Sequence, residues 1–460
     1  MRARLTPGAT IEGVVAVPGD KSISHRWLLM AATATGASRL VGLPRSLDTR
    51  STVACLAELV PSARPALEAW ALSPSVTDER DGSTWNREAS TLDLDTLDTL
   101  DLRGDGWRSL QPPGRPLDCG NSGTTMRLVA GLVSPSPFET MLRGDGSLSE
   151  RPMERVAEPL RRMGANVTTQ DGHPPITVRG SALRGIRFEP DVPSAQVKGA
   201  VLLAALSAEG PTTVTERVPT RDHTERLLLA LGAPIRSEGP ELVLDEPFQH
   251  EGFRGTVPGD PSAAAFLLGA ASLTGGHLMV RGVGLNPTRL RPLEVLRRMG
   301  IEVEVAVEGE ELGEPVGTMR IGPDGVLRPV HVDARELPLV IDEVPLLAAL
   351  AAHADGPSRF EGASELRVKE SDRIAVLAEG IRALGGAASE EGDDLVIGGG
   401  GLTGGSARSE GDHRMAMAFA VAALAARAPS QIDAIESASV SFPGFFELLR
   451  SLGADVEVSE

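Results

Sequence analysis

Six apolar segments rich in alanine and leucine recur along the chain, and each is long enough to predict a mostly buried helix. Each has serine or aspartate at or near its first turn, where such side chains accept hydrogen bonds from free backbone N–H groups. Most are followed by a short β-like run, such as Thr212–Val214. The six segments are Ser22–Ala34, Ser122–Leu132, Ser194–Leu206, Ser262–Leu273, Asp342–His353 and Asp412–Ala425.

A second pattern repeats alongside the first. It consists of an amphipathic helix, a turn of the Leu/Met-Gly-Ala type and then a strand. Its turn glycines are Gly164, Gly232, Gly300, Gly385 and Gly453. The first three follow one another at equal intervals, and the last two are separated by the same interval. With a degenerate copy near 56–60, the two patterns predict six βαβαββ-like units.

One tripeptide, Pro-Gly-Asp, occurs before two of the apolar segments and suggests that the chain consists of duplicated halves. Pro18-Gly19-Asp20 precedes the first apolar segment and Pro258-Gly259-Asp260 precedes the fourth. We therefore expect an α/β fold of two similar domains with three units each. One domain comprises residues 1–19 and 259–460, and the other comprises residues 20–258.

The segment Ala71–Gly106 departs from both patterns. It is rich in aspartate, threonine and serine and has no helical period. We interpret residues 71–106 as an acidic surface insert.

Composition narrows the classes of function. The formal net charge of −18 over 460 residues argues against nucleic acid or an anionic membrane as the main partner. No apolar run reaches the roughly 18 residues of a membrane span, and the N-terminus lacks the apolar core of a signal peptide. Cys55 and Cys119 are the only cysteines, so neither a disulfide framework nor a cysteine zinc motif is expected. We expect a soluble cytoplasmic protein whose anionic ligands would need a local cluster of cations.

Lysine is scarce in this arginine-rich chain. Of the 45 basic residues only Lys21, Lys198 and Lys369 are lysines, and each falls within a motif described below. One explanation is that the function needs a compact ammonium group at these positions, which the planar guanidinium of arginine cannot replace. The alternative is that the three lysines were retained by chance.

Basic and hydrogen-bonding side chains cluster at helix starts in the first half. Free N–H groups and the helix dipole favour an anion there. At each position a capped helix with solvated charges is the alternative. Lys198 lies in an apolar run and therefore requires a partner or an anion. The segments are Pro18–Arg26 with Lys21, Ser22 and Arg26; Cys119–Leu128 with Asn121, Gly123 and Arg127; Gly144–Met153 with Arg151; Val192–Gly199 with Ser194, Gln196 and Lys198; and Thr220–Glu225 with Arg221.

The second half adds acids as well as cations. Asp342 opens a strongly apolar helix, with a simple N-cap as the alternative. Lys369 and Arg373 are four residues apart and would share a helical face. Arg414 stands at the start of a buried helix, where the dipole disfavours a cation unless an anion is bound. If these helix starts converge, they form a cleft for two anionic substrates.

Taken in order, these segments resemble the signature of EPSP synthases, and are most similar to the bacterial branch with G-N-S-G-T-T and R-P-M. The resemblance covers the chain apart from the 71–106 segment. It implies two inside-out α/β domains, each of three βαβαββ units. The matching segments are Pro18–Arg26, Gly120–Leu128, Gly144–Met153, Val192–Lys198, Thr220–Glu225, Ile341–Pro345, Leu366–Arg373 and Asp412–Met415.

The resemblance also implies a reaction: enolpyruvyl transfer from phosphoenolpyruvate to shikimate 3-phosphate, in chorismate and aromatic amino acid biosynthesis, without metal or organic cofactor. Most shikimate 3-phosphate contacts would come from the domain 20–258. The shikimate 3-phosphate residues would be Lys21, Ser22, Arg26, Ser194, Gln196, Arg221, Asp342 and Lys369. The phosphoenolpyruvate residues would be Lys21, Gly123, Arg151, Gln196, Arg373 and Arg414.

Proton transfer is assigned as a hypothesis. Asp342 would be the general base toward the 5-hydroxyl. Glu370, with a pKa raised in a closed site, would be the acid toward C3 of phosphoenolpyruvate, and Lys21 is its rival.

Two departures from the family pattern bear on these assignments. Ala195 stands where many members have a second serine, and Val440 where some have a lysine. Gly123 is the small residue of glyphosate-sensitive members, so inhibition by glyphosate is expected. We also expect a monomer.

Two alternatives remain at this level. The sister enzyme that acts on UDP-N-acetylglucosamine shares the fold, but it uses a loop cysteine and an early K-N pair, whereas Lys21 here is followed by Ser22. A non-catalytic phosphometabolite-binding protein would not need both Asp342 and Glu370.

Overall fold

The computed structural model describes residues 1–73, 98–322 and 325–460. Within these ranges no helix has both the length and the apolar character to cross a lipid bilayer. The helices are α1 (Lys21–Thr33), α2 (Leu47–Leu59), α3 (Arg64–Leu72), α4 (Gly123–Val133), α5 (Gly146–Ser149), α6 (Glu154–Met163), α7 (Ala195–Ala205), α8 (His223–Ala230), α9 (Pro261–Leu273), α10 (Arg291–Arg298), α11 (Leu337–Val340), α12 (Val344–Ala351), α13 (Arg373–Ala383), α14 (His413–Ala423) and α15 (Phe445–Ser451). The strands are β1 (Arg2–Thr6), β2 (Gly13–Ala16), β3 (Thr35–Val41), β4 (Thr99–Asp105), β5 (Leu117–Asp118), β6 (Glu139–Arg143), β7 (Asn166–Gln170), β8 (His173–Arg179), β9 (Arg187–Phe188), β10 (Thr212–Thr215), β11 (Ile235–Glu238), β12 (Glu241–Leu244), β13 (Arg254–Thr256), β14 (Leu278–Gly284), β15 (Val303–Glu311), β16 (Glu314–Ile321), β17 (His331–Val332), β18 (Ser358–Phe360), β19 (Ala388–Glu391), β20 (Asp394–Ile397), β21 (Ser406–Arg408), β22 (Ser430–Asp433) and β23 (Asp455–Ser459).

All six apolar segments form the predicted buried helices, namely α1, α4, α7, α9, α12 and α14. Side-chain caps fix several of their starts: Ile23 N donates to Asp20 Oδ1 at 2.9 Å, and Arg414 N donates to Asp412 Oδ1 at 2.9 Å. The fifth helix differs, because it begins only at Val344. Asp342 therefore lies before the helix and is not its N-cap.

The glycine turns adopt the left-handed backbone that their position requires. Gly164, Gly232, Gly300, Gly385 and Gly453 have φ values of 115°, 86°, 89°, 79° and 117°. A Cβ atom is disfavoured at such angles, which explains glycine at every copy. Each turn joins an amphipathic helix to a strand, as the repeat predicts.

Six small sheets within the described residues confirm the predicted α/β fold of six units. In one unit the chain runs β5, α4, β6, the short helix α5, α6, β7 and β8, and its four strands pair in the order β5-β6-β8-β7. The strands of the other five sheets pair in the orders β11-β12-β10-β9, β13-β3-β4, β15-β16-β14-β2, β17-β18-β20-β19 and β21-β22-β1-β23.

The buried apolar residues form two clusters that draw on different parts of the chain. One combines residues from Ala3 to Val15 with residues from Ala263 to Val456. The other runs from Ile23 to Val257. The division into domains 1–19 plus 259–460 and 20–258 stays a prediction, which these memberships support.

The predicted insert 71–106 is wrong at both ends. Ala71 and Leu72 are the last residues of α3. Thr99–Asp105 form β4, which pairs antiparallel with β3, from Thr35↔Asp105 to Val41↔Thr99. Leu100 and Leu102 point into the second cluster, and this alternation of buried and exposed residues makes the strand. Residues 74–97 of the insert lie outside the described residues.

Candidate active site

One cavity of about 630 Å³ is lined by both halves of the chain. Helices α1, α4 and α7 present their N-terminal ends to it from one side. The segments preceding α12 and α13, together with the first turn of α14, face it from the other. All the sequence-predicted site residues line it: Lys21, Ser22, Arg26, Gly123, Arg151, Ser194, Gln196, Arg221, Asp342, Lys369, Glu370, Arg373 and Arg414.

The start of α1 presents two cations. Lys21 Nζ lies 3.0 Å from Asp48 Oδ2. Arg26 is anchored, because its Nε donates to Thr224 Oγ1 at 2.7 Å and its Nη1 to Ser22 O at 2.8 Å. Burial, opposed by the charge of Glu225, lowers the pKa of Arg26 to about 10. An anion bound here would relieve that cost of burying the guanidinium.

Helices α4 and α7 meet at a hydrogen-bonded pair. Arg127 Nη1 donates to Gln196 Oε1 at 2.5 Å, and Gln196 Nε2 donates to Thr124 Oγ1 at 2.8 Å. Burial and the nearby charges of Arg155 and Arg151 lower the pKa of Arg127 to about 9. This side of the cavity therefore carries an excess of positive charge.

Glu370 bridges the cavity between two arginines. Arg373 Nη2 donates to Glu370 Oε2 at 2.7 Å, and Arg151 Nη1 donates to Glu370 Oε1 at 3.3 Å from the opposite side. Burial alone would raise the pKa of Glu370, but the charges of Arg373 and Arg151 hold it well below its usual value. The two arginines therefore favour an ionised Glu370, in contrast to the raised pKa predicted for its carboxyl group.

Asp342 lies at the centre of four cations. It pairs with Arg221 across the cavity, and its carboxylate oxygens lie 3.9 Å from nitrogens of Arg373 and Arg414. Burial opposes ionisation, yet Arg221, Arg414, Lys369 and Arg373 together keep the pKa of Asp342 well below its usual value. A carboxylate ionised at neutral pH can accept a proton, as a general base must.

Lys369 completes this group. Burial lowers its pKa, and the charge of Arg373 lowers it further while Asp342 opposes the shift. A desolvated ammonium is a strong hydrogen-bond donor toward an anionic or hydroxyl-bearing ligand.

Three site residues were missed in the sequence or given no role. Asp412 is wholly buried and accepts from Arg373 Nε at 2.7 Å. Asp48 pairs with Lys21 but stands in no motif. His413 lines the cavity as a neutral imidazole, because burial and the charge of Lys21 lower its pKa to about 3. The G-D-H-R-M motif contains a signal for Asp412 and His413, whereas Asp48 has none.

Three positions discussed from sequence are not among the cavity-lining residues. Asn121 instead accepts from Arg151 Nη2 at 2.7 Å. Lys198 pairs with Glu216 and Glu225 beneath the cavity. Val440 is also absent from the lining.

Comparison with known proteins agrees with this geometry. The sequence model of the family described as EPSP synthase (3-phosphoshikimate 1-carboxyvinyltransferase) matches residues 5–72 and 91–449. The unmatched residues 73–90 fall within the predicted insert.

Relatives match over nearly the whole chain. A 3-phosphoshikimate 1-carboxyvinyltransferase of Halorhodospira halophila is 45% identical over 99% of this chain and 97% of its own, and that of Methylococcus capsulatus is 43% identical over 98% of both. A solved EPSP synthase of Acinetobacter baumannii is 37% identical, with a TM-score of 0.81 and full coverage of both chains. The enolpyruvyl transferase NikO of Streptomyces tendae, 20% identical with a TM-score of 0.73 over 99% of this chain and 98% of its own, shares the fold. This chain belongs to the EPSP synthase family.

Proposed function

We infer that this protein is a 3-phosphoshikimate 1-carboxyvinyltransferase. It transfers the enolpyruvyl group of phosphoenolpyruvate to the 5-hydroxyl of shikimate 3-phosphate, giving 5-enolpyruvylshikimate 3-phosphate and phosphate. The step belongs to the shikimate pathway, which leads to chorismate and the aromatic amino acids. The observation that carries the inference is one cavity in which cations from both halves surround two ionised carboxylates.

We propose that the two substrates occupy adjacent parts of this cavity. Shikimate 3-phosphate would contact Lys21, Ser22, Arg26, Ser194, Gln196, Arg221, Asp342 and Lys369. Phosphoenolpyruvate would contact Lys21, Gly123, Arg151, Gln196, Arg373 and Arg414. The charges support this division, because each group supplies several cations to an anionic substrate.

The proposed addition step forms a bond between the 5-oxygen and C2 of phosphoenolpyruvate. Asp342 takes the hydroxyl proton, and C3 receives a proton to become a methyl group. In the elimination step the bond from C2 to the phosphate oxygen breaks, C3 loses a proton, and phosphate leaves. The surrounding cations stabilise the negative charge in a site from which water is excluded.

Glu370 would act at C3. Arg373 and Arg151 favour its ionised form. Anionic phosphoenolpyruvate bound to both arginines would offset their attraction for the carboxylate. The pKa of Glu370 would then rise, so that it could hold a proton and deliver it; Lys21 stays its rival.

Further properties stay proposals of the same kind. Glyphosate would inhibit the enzyme, because Gly123 leaves space beside Arg127 and Arg151: a Cβ there would lie 2.9 Å and 3.4 Å from an Nη1 atom of each. The enzyme would act as a monomer. A cytoplasmic location also stays a prediction.

The test is phosphate release from phosphoenolpyruvate by the purified protein, with shikimate 3-phosphate, with UDP-N-acetylglucosamine or with neither. We expect release that depends on shikimate 3-phosphate. Release with only the sugar nucleotide would assign the sister activity. If neither acceptor gave phosphate release, the protein would be a non-catalytic binding protein built on this fold.

A further inference from the structure

Lys198 is the one lysine of the chain that does not line the cavity. Its side chain is 1% exposed, within the apolar helix α7. Its Nζ lies 2.8 Å from Glu216 Oε2 and 2.5 Å from Glu225 Oε1. The buried ammonium group of Lys198 is therefore paired with two carboxylates, one after β10 and one in α8.

Glu216 links this ammonium to a segment beside the cavity. It opens residues 216–222, which connect β10 to α8. Its Oε1 accepts from Thr220 N at 3.2 Å and from Thr220 Oγ1 at 2.5 Å. The carboxylate therefore closes the segment into a turn whose base is tied to Lys198.

Glu225 anchors the other end. It lies in the first turn of α8, directly after the connecting segment. Lys198 consequently holds the residues on both sides of Arg221, and Arg221 reaches Asp342 across the cavity.

The outer side of this segment offers much weaker support. Arg217 pairs with Glu189, but their side chains are 83% and 40% exposed. Exposed ion pairs contribute little to stability. The segment is also held at its far end, where Asp222 accepts from Asn286 Nδ2 at 2.7 Å. The buried contact with Lys198 therefore fixes the beginning of the segment, at Glu216.

The same helix also presents ligand-binding side chains. Ser194 and Gln196 stand at the start of α7 and line the cavity. An ammonium suits the junction beneath them, because it is compact and can face two carboxylates from different directions, whereas a guanidinium is planar and larger.

We propose that Lys198 is a positioning residue for shikimate 3-phosphate binding: it holds Glu216 and Glu225 so that residues 216–222 place Arg221 opposite Asp342. The proposal rests on the proposed function. It predicts an effect on shikimate 3-phosphate, because Lys198 holds the residues that flank Arg221 and itself lines no part of the cavity.

The test compares Lys198→Met with Thr220→Val and with a matched control, Glu189→Gln. The first removes the ammonium, the second removes the hydroxyl that binds Glu216 without disturbing the buried ion pairs, and the control breaks the exposed pair on the same segment. Calorimetry with shikimate 3-phosphate should show about tenfold weaker binding for Lys198→Met, or ~1.4 kcal/mol, and a smaller loss for Thr220→Val. The control should bind as wild type does.

Steady-state kinetics separate positioning from general damage. The KM for shikimate 3-phosphate should rise while that for phosphoenolpyruvate stays within about twofold, a difference of ~0.4 kcal/mol. The acid limb of the kcat profile should move to higher pH, because Arg221 is the foremost of the cations that favour ionised Asp342, the others being Arg414, Lys369 and Arg373.

Three results would overturn the proposal. Unchanged affinity for shikimate 3-phosphate in both variants is one. Equal losses for both substrates with an unmoved acid limb is another, since that pattern indicates only a loosened fold. If Lys198→Met does not fold, wild-type affinity in Thr220→Val is the third. Wild-type protein that binds shikimate 3-phosphate without turnover would count against the proposed function alone, because the binding comparison still tests Lys198.

Discussion

Replacing Asp342 by asparagine removes one negative charge from the centre of the cavity while keeping the shape of the side chain. The carboxylate pairs with Arg221 and lies within 3.9 Å of Arg373 and Arg414. Asparagine still offers an oxygen to Arg221, but it cannot accept the hydroxyl proton. The variant therefore tests the base and the charge balance together.

The expected loss of rate follows from the role of a general base. Such groups contribute about 10²- to 10⁴-fold, which equals about 2.7 to 5.4 kcal/mol of barrier at ~1.36 kcal/mol per tenfold change. We expect Asp342→Asn to lower kcat within this range.

The same change has a cost in stability. Removing one member of a buried ion pair costs about 3–5 kcal/mol. Because the Asp342 side chain is 20% exposed, we expect a smaller loss of about 2–3 kcal/mol in the free energy of unfolding.

The pH dependence of this contribution has a defined sign. The pKa of Asp342 is lower in the folded protein than the value of about 3.9 in an unfolded chain. Its stabilisation is therefore present above about pH 4 and is lost as the pH falls through the folded pKa. The difference in stability between wild type and Asp342→Asn should shrink on acidification.

The measurements are phosphate release at saturating substrates and urea unfolding at several pH values. Asp455→Asn, on the exposed face of β23, controls for loss of one negative charge and should match wild type. A kcat for Asp342→Asn above about one tenth of the wild-type value would refute the assignment of Asp342 as base.

Three further predictions concern the surrounding residues. Lys21→Arg should lower kcat/KM by about 10²-fold in phosphate-release assays with little change in thermal unfolding, because a planar fork replaces a compact ammonium; near wild-type kinetics would contradict this. Arg373→Met should destabilise the protein by about 3–5 kcal/mol at pH 7 in urea unfolding, because it leaves the wholly buried Asp412 unpaired. The pKa of Asp412, lowered in wild type, would then rise above its unfolded value, so this variant should recover stability as the pH falls toward 5; a deficit that is constant with pH would exclude the explanation. Gly123→Ala should raise the KM for phosphoenolpyruvate and weaken glyphosate inhibition, measured by titration, because the added Cβ presses on Arg127 and Arg151; unchanged inhibition would show that the pocket adjusts.

The repeat pattern made the fold predictable. Buried helices such as α4 and α7 follow from continuous apolar runs, and the turns at Gly164 and Gly453 follow from a backbone angle that few other residues adopt. These signals are local, and a sequence displays local signals directly. The strand β4 was missed because its alternating pattern lies in a segment whose composition favours a surface loop.

The sequence by itself determined the buried helices, the glycine turns, the family and the set of charged side chains available to a site. Only the tertiary structure decided how those charges pair. Glu370 meets an arginine 219 positions away, and Asp342 meets one 121 positions away. The pKa of each carboxylate depends on the burial and charges that surround it in space, and local sequence patterns do not specify those neighbours. For that reason the ionised state of Glu370 and the support of Arg221 by Lys198 emerged only from the folded chain.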